Sequence, residues 1–161
     1  MFSAVLSRVA FSAIFLCLLT GGALAQEGPA VSPPDLTQGS IPDAFALIRL
    51  VRTTMIAVDH ANRTGNYTVL RDLGAPGFSN ANDAARLADI FRAWRERKLD
   101  LGAVVLLKPT WTVEPEIDRA GMLRLTGYFA TKPLRITFDL LYESIGDRWR
   151  LFGISIGTRK S

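Results

Sequence analysis

Residues 122–143, MLRLTGYFATKPLRITFDLLYE, decide the fold, because two strands with alternating apolar residues flank a short turn. A two-residue turn at Lys132-Pro133 predicts that Gly127 pairs with Phe138. Continuing this ladder in both directions places the apolar residues of both strands on one face of the hairpin. A shift of one residue would turn that face to solvent, so the pattern strongly favours a single register.

The preceding segment predicts a second hairpin that agrees with the first. A three-residue loop pairs Ile117 with Leu123 and, further along, sets Trp111 opposite Phe129. The apolar residues of this segment then lie on the same face of the sheet as those of the first hairpin. Pro115 interrupts the segment, which indicates an edge strand or a bulge.

The last strand, predicted over residues 149–156, fits this arrangement less well. A Gly146-Asp147 turn places Leu151 on the inner face but leaves several apolar side chains of the same strand outside. Either the turn has an odd length or the outer face of the sheet is covered, and we favour the second interpretation. The sequence then predicts a homodimer through an apolar outer patch made of Tyr128, Leu141, Phe152 and Ile154.

The longest predicted helix precedes the strands. A capping box of Ser40 and Asp43 begins it, and Gly65 ends it after about residue 63. Apolar side chains cover more than half of its circumference. Another element must therefore wrap around this helix.

Two shorter helices are predicted next. One spans residues 67–73, and the other runs from about residue 80 to residue 98, with residues 76–78 as a loop between them. Arg95 is assigned to the solvent face of the third helix. Residues 103–108 are predicted as a strand that is apolar on both faces. Helices followed by antiparallel strands predict an α+β fold, with the long helix and two shorter helices packed in a curved sheet.

Three stretches carry a resemblance to a known superfamily. They are residues 61–78, which begin ANRTGNY, the extended residues 134–143, and residues 146–151, GDRWRL. Over residues 41–157, this order of elements resembles the nuclear transport factor 2-like superfamily. The resemblance implies a cone whose bent sheet curls around the long helix and leaves a cavity at its open end. Some members of that superfamily are isomerases, dehydratases or cyclases, whereas many exported members are non-catalytic or unassigned, so the fold alone does not give the function.

The N-terminal residues have the features of a targeting segment. Residues 1–25 combine Arg8, a short apolar run and a small-residue end, which predicts a signal peptide cleaved after Ala25. The apolar run is too short to span a bilayer, so we expect no membrane span after cleavage. Residues 26–40 are predicted as a flexible linker and residues 41–158 as one domain, located in the periplasm or secreted.

Composition excludes several classes of function. The 161 residues include 19 Lys and Arg against 15 Asp and Glu, without a run of like charges typical of nucleic-acid binding. The one cysteine, Cys17, leaves with the predicted signal peptide, and His60 is the one histidine. We therefore expect no disulfide, no metal site, no cofactor and no Ser-His catalytic arrangement.

The predicted inner face of the sheet offers little for acid–base chemistry. Tyr142 brings the one polar tip among the sheet positions, and Thr54 and Asn62 add two polar groups from the long helix. General acid–base catalysis needs a group that exchanges a proton near the working pH. The sequence therefore argues against an enzyme.

One carboxylate keeps the alternative open. Asp139 lies in the middle of a strand and, in the predicted register, points outward beside Thr126, with Arg124 and Arg135 on the same face. If it entered the cavity instead, the protein would be a small lyase or isomerase that uses Asp139 as its catalytic residue.

Aromatic side chains suggest a binding function, although they more often belong to an ordinary core, since they bury large areas anywhere. The preferred hypothesis is an exported, non-catalytic domain that binds a small apolar ligand or a partner protein. The candidate ligand pocket comprises Trp94, Trp111, Phe129, Phe138 and Tyr142.

Overall fold

The computed structural model describes residues 40–160. Helix α1, Ala44–Thr64, is capped by Asp43, whose carboxylate accepts a hydrogen bond from the backbone N–H of Ala46 at 2.8 Å. The prediction that Ser40 begins the helix is wrong, since Asp43 itself supplies the capping oxygen. Gly65 ends the helix as predicted, in a left-handed conformation with φ of 73°.

The shorter helices differ from the prediction in number and in bounds. Pro76 opens a helical turn where a loop was expected, because its fixed φ suits the first position of a helix. The predicted third helix is divided at Phe91, and the expected strand over residues 103–108 is replaced by a 3-10 helix at Gly102–Val105. The α-helices after α1 are α2 (Thr68–Leu73), α3 (Pro76–Ala81), α4 (Ala84–Ile90) and α5 (Arg92–Glu96).

The strands form one antiparallel sheet in the order β1-β3-β4-β5, and β2 also pairs with β3. Together with the helices they confirm the predicted α+β class. The strands are β1 (Thr110–Trp111), β2 (Glu116–Ile117), β3 (Leu123–Phe129), β4 (Leu134–Ile145) and β5 (Arg148–Lys160).

The central register is confirmed over the full length of β3. Gly127 pairs with Phe138, and the second hairpin pairs Ile117 with Leu123 as predicted. Trp111, however, lies opposite Gly127 and not opposite Phe129, so this prediction was wrong by two residues. An even shift keeps the side chain of Trp111 on the predicted face.

A bulge in β5 explains the apolar residues that the sequence left outside. The two-residue turn forms as predicted, but the pairing shifts after Leu151, so that Phe152 is an extra residue in the ladder. Beyond the bulge, Ile154 pairs with Leu140 and packs against the core. The bulge explains the apolar pattern of β5 without a turn of odd length and without a covered outer face. The assignment of Ile154 to the outer patch is wrong. Homodimerisation through the remaining outer residues stays a prediction.

The core lies between the sheet and the helices. The buried face of α1 includes Val51, Met55 and Val58, each fully shielded from solvent, as the predicted wrapping of this helix requires. The edge of β5 is covered near Leu151, whose carbonyl oxygen accepts a hydrogen bond from the N–H of Ala75 at 2.7 Å. This contact ties the segment between α2 and α3 to the sheet. No helix within residues 40–160 combines the length and the apolar character needed to cross a membrane.

Candidate functional site

Asp139, the candidate catalytic residue, lies on the outer face of the sheet, as the register predicted. Its carboxylate accepts two hydrogen bonds from Arg124, at 3.0 Å and 2.6 Å, and one from Thr126 at 3.2 Å. The hydrogen bond from Arg124 holds the pKa of Asp139 below its ordinary value. Because both oxygens of this carboxylate accept hydrogen bonds from Arg124, the group stays ionised and is a poor general base.

The five aromatic residues predicted to form a pocket are divided between the packed core, the edge of the sheet and an open cleft. Phe129, Phe138 and Tyr142 are at most 2% exposed and belong to the packed core. Trp111 is half-buried at the edge of the sheet and packs edge-on against Phe138, with ring centroids 6.0 Å apart. Trp94 is half-buried and lines an open cleft.

Tyr142 brings a polar group into the core but no proton chemistry near neutral pH. Its hydroxyl lies 2.9 Å from Oγ1 of Thr54 and 3.1 Å from the carbonyl oxygen of Leu50. Burial raises the pKa of the Tyr142 phenol. This hydroxyl therefore acts as a fixed hydrogen-bonding group between β4 and α1.

An open cleft of about 430 Å³ lies where the C-terminal part of α1 faces α5 and the residues that follow it. We call it the helical cleft. Its lining combines one large aromatic surface with five charged side chains, and the residues are Asp59, Asn62, Arg63, Trp94, Arg95, Lys98, Leu99 and Asp100.

One part of this lining is a set of two ion pairs that share Arg63. Arg63 donates to Asp59 at 2.8 Å and to Asp100 at 2.9 Å. The same carboxylates also accept backbone hydrogen bonds, Asp59 from Leu101 at 3.3 Å and Asp100 from Gly102 at 2.8 Å. Neither carboxylate is therefore free to act as a base.

A chain of hydrogen bonds through the buried Tyr67 connects two residues of the cleft lining, Asn62 and Arg95. The Tyr67 hydroxyl donates to Oδ1 of Asn62 at 2.6 Å and accepts from Nη1 of Arg95 at 2.5 Å. The Arg95 guanidinium also lies over the Tyr67 ring, 5.4 Å from its centroid, and donates to the carbonyl oxygen of Ala88. The half-buried Arg95 is thus held in place by neutral groups, which corrects its assignment to the solvent face.

Asn62 has one group that remains without a partner. Its Nδ2 is buried and makes no hydrogen bond within residues 40–160. A buried donor without an acceptor costs about 1–3 kcal/mol. The helical pattern identifies Asn62 as a polar group of the long helix, but no signal in the sequence connects Asn62 with Tyr67 or Arg95.

Lys98 follows α5 and lines the helical cleft together with Trp94. Its φ is 49°, a left-handed conformation uncommon for a residue other than glycine. Lys98 also lines a neighbouring cleft of about 300 Å³, which we call the sheet cleft. The two clefts share Trp94, Lys98, Leu99 and Asp100, and the sheet cleft adds Lys132, Pro133 and Ile136 among others.

A further cleft, of about 520 Å³, lies near the start of α1 and the β4–β5 turn. Trp149, Arg49 and Arg148 are among its lining residues. Because it shares no lining residue with the helical cleft, it provides a matched control for experiments there.

The described residues offer no clear metal site. His60 is exposed on α1, and the adjacent Asp59 turns to Arg63. Within residues 40–160, no three His, Cys, Asp or Glu side chains come close enough together to hold a metal ion.

Comparisons with protein-family models, with curated proteins and with solved structures find no match for this chain. The resemblance to the nuclear transport factor 2-like superfamily stays a prediction, and so does export. The predicted signal peptide and nearly all of the predicted linker lie outside the described residues.

Proposed function

We propose that this domain is a non-catalytic binding protein that holds a small ligand with a flat apolar part in the helical cleft. The observation that carries the proposal is the position of Trp94. It is half-buried in the wall of an open cleft, whereas three of the other predicted pocket residues are sealed in the core. A flat ring at a cleft wall is a typical surface for stacking a planar ligand.

The chemistry of the lining supports binding without catalysis. Both carboxylates of the cleft are engaged by Arg63 and by backbone N–H groups. The remaining charged groups of the lining, Arg95 and Lys98, are cations. None of these groups is arranged to give and take a proton in a reaction.

The signal-peptide features of residues 1–25 support a location outside the cytoplasm, where such a domain would bind its ligand after export.

The proposal is tested with N-phenylnaphthylamine, an uncharged, flat fluorescent probe. We expect probe fluorescence to rise on binding to the protein, and Trp94→Ala to weaken binding by about fivefold, since a lost aromatic contact is worth on the order of 1 kcal/mol. Trp149→Ala is the matched control, because Trp149 is also half-buried but lines the cleft near the start of α1 and the β4–β5 turn.

Circular dichroism and thermal unfolding of each variant separate a lost contact from a lost fold. The proposal fails if the wild-type protein does not bind the probe. It also fails if a folded Trp94→Ala variant binds as tightly as the wild type.

A further inference from the structure

We propose that the ligand of the helical cleft is an organic anion, whose acid group is held by Arg95 and Lys98 while its flat part lies on Trp94. This inference rests on the proposed function and adds the chemical class of the ligand. The observation that supports it is that both carboxylates of the cleft pair with Arg63, whereas Arg95 and Lys98 pair with neither.

The cleft contains two carboxylates and three cations, and the pairing among them is uneven. Both carboxylates pair with Arg63. Within residues 40–160, no carboxylate lies within 4.0 Å of the charged nitrogens of Arg95 or Lys98. Two positive charges therefore face the cleft without an anionic partner.

Arg95 is held in a position that leaves part of its hydrogen-bonding capacity free. Its Nη1 is used by Tyr67 and by the carbonyl oxygen of Ala88, whereas no hydrogen bond within the described part of the chain uses its Nε or Nη2. A guanidinium offers two parallel N–H groups that match a carboxylate or a sulfonate. Since the side chain is already fixed, binding costs little side-chain entropy.

Lys98 supplies a second positive charge at the wall that also carries Trp94. Its ammonium has no hydrogen-bond acceptor among residues 40–160. An ammonium binds an acid group as a compact charge and imposes little geometry. Together, a flat ring, a fixed guanidinium and an adjustable ammonium fit a ligand with both a planar apolar part and an acid group.

The two carboxylates do not oppose this assignment. Each is hydrogen-bonded to Arg63 and to a backbone N–H, which turns its oxygens toward those donors and compensates part of its charge. The cations thus outnumber the acidic groups in the cleft. An uncharged or cationic ligand would leave Arg95 and Lys98 unpaired.

The experiment compares two probes that share one aromatic skeleton. Anilinonaphthalene sulfonate carries an acid group, and N-phenylnaphthylamine lacks it. We expect the wild-type protein to bind the sulfonate about fivefold more tightly than the uncharged probe, and the preference to shrink at high salt. Lys98→Gln and Arg95→Gln should each weaken binding of the sulfonate more than binding of the uncharged probe, so that the preference shrinks, and Arg95→Lys should restore part of it.

Lys132→Gln is the control, because Lys132 lines the sheet cleft and not the helical cleft. Equal binding of both probes would overturn the anion assignment while leaving the proposed function intact. A preference that Lys132→Gln abolishes and Lys98→Gln leaves unchanged would also overturn it. Failure of the protein to bind either probe would overturn the proposed function itself, and the anion assignment with it.

Discussion

The hydroxyl of Tyr142 on β4 lies 2.9 Å from Oγ1 of Thr54 on α1, and the two residues are 88 positions apart in the sequence. Tyr142 also lies 3.1 Å from the carbonyl oxygen of Leu50, which can only accept. The single phenolic proton therefore goes to Leu50, and Thr54 donates to Tyr142. This pair is the polar link between the long helix and the middle of the sheet.

Replacing Tyr142 tests the strength of that link. Tyr142→Phe removes both hydrogen bonds and leaves the buried Thr54 hydroxyl without its partner, so we expect the free energy of unfolding to fall by about 1–3 kcal/mol. Urea unfolding of Tyr142→Phe, Thr54→Val and the double variant measures the coupling. The double variant should lose less than the two single variants combined. Strictly additive losses would show that the hydroxyls do not interact.

Gly127 is predicted to tolerate no side chain. An added Cβ would press against the carbonyl oxygen of Thr110 and lie 2.8 Å from Cζ of Phe138. The Thr110 backbone cannot move away without opening the β1–β3 pairing, so Gly127→Ala should cost about 1–3 kcal/mol.

The matched control for that variant is Gly153→Ala on β5. There the nearest atom is Cβ of Leu141, at 3.3 Å, and a small shift relieves the contact. Thermal unfolding should show a much larger loss of stability for Gly127→Ala. Equal losses at the two positions would contradict the close approach of β1.

The bulge at Phe152 predicts how β5 responds to deletions. Removing Phe152 lets Leu151 and Gly153 continue one regular ladder with Tyr142 and Leu141, so both halves of the strand keep their faces. Removing Ser155 instead turns Ile156 away from the core. We expect the Ser155 deletion to lower the melting temperature more than the Phe152 deletion does. The opposite order would contradict the assignment of Phe152 as the extra residue.

Asp139 predicts a pH dependence of stability rather than of catalysis. Its pKa is lowered in the folded protein, so its contribution is present above the unfolded value of about 4 and is lost as the pH falls through the folded value. Because the pair with Arg124 is partly exposed, Asp139→Asn should cost no more than about 1 kcal/mol near neutral pH.

Urea unfolding of the wild type and of Asp139→Asn from neutral to strongly acidic pH checks this expectation. The difference between them should disappear at acidic pH, where the carboxylate is protonated in the wild type. A difference that persists there would show that the ion pair is not its cause.

The sequence alone determined the α+β class and the register of β3 with β4, because alternation of apolar residues around a short turn leaves one register that buries one face. It also determined the outward direction of Asp139, which follows from that register. Local signals fixed the end of α1 at Gly65 and the end of α2 at Gly74.

Only the tertiary structure decided the β5 bulge and the composition of the helical cleft. A bulge adds one residue where packing against neighbouring elements favours it, and the alternation pattern does not show where that residue lies. Arg95 has the sequence environment of a solvent-facing residue, yet contacts with Tyr67 and Ala88 hold it in the cleft wall. Arg95 lies 28 positions from Tyr67 and 7 from Ala88, so these contacts exist only once α5 has packed against α4 and the start of α2.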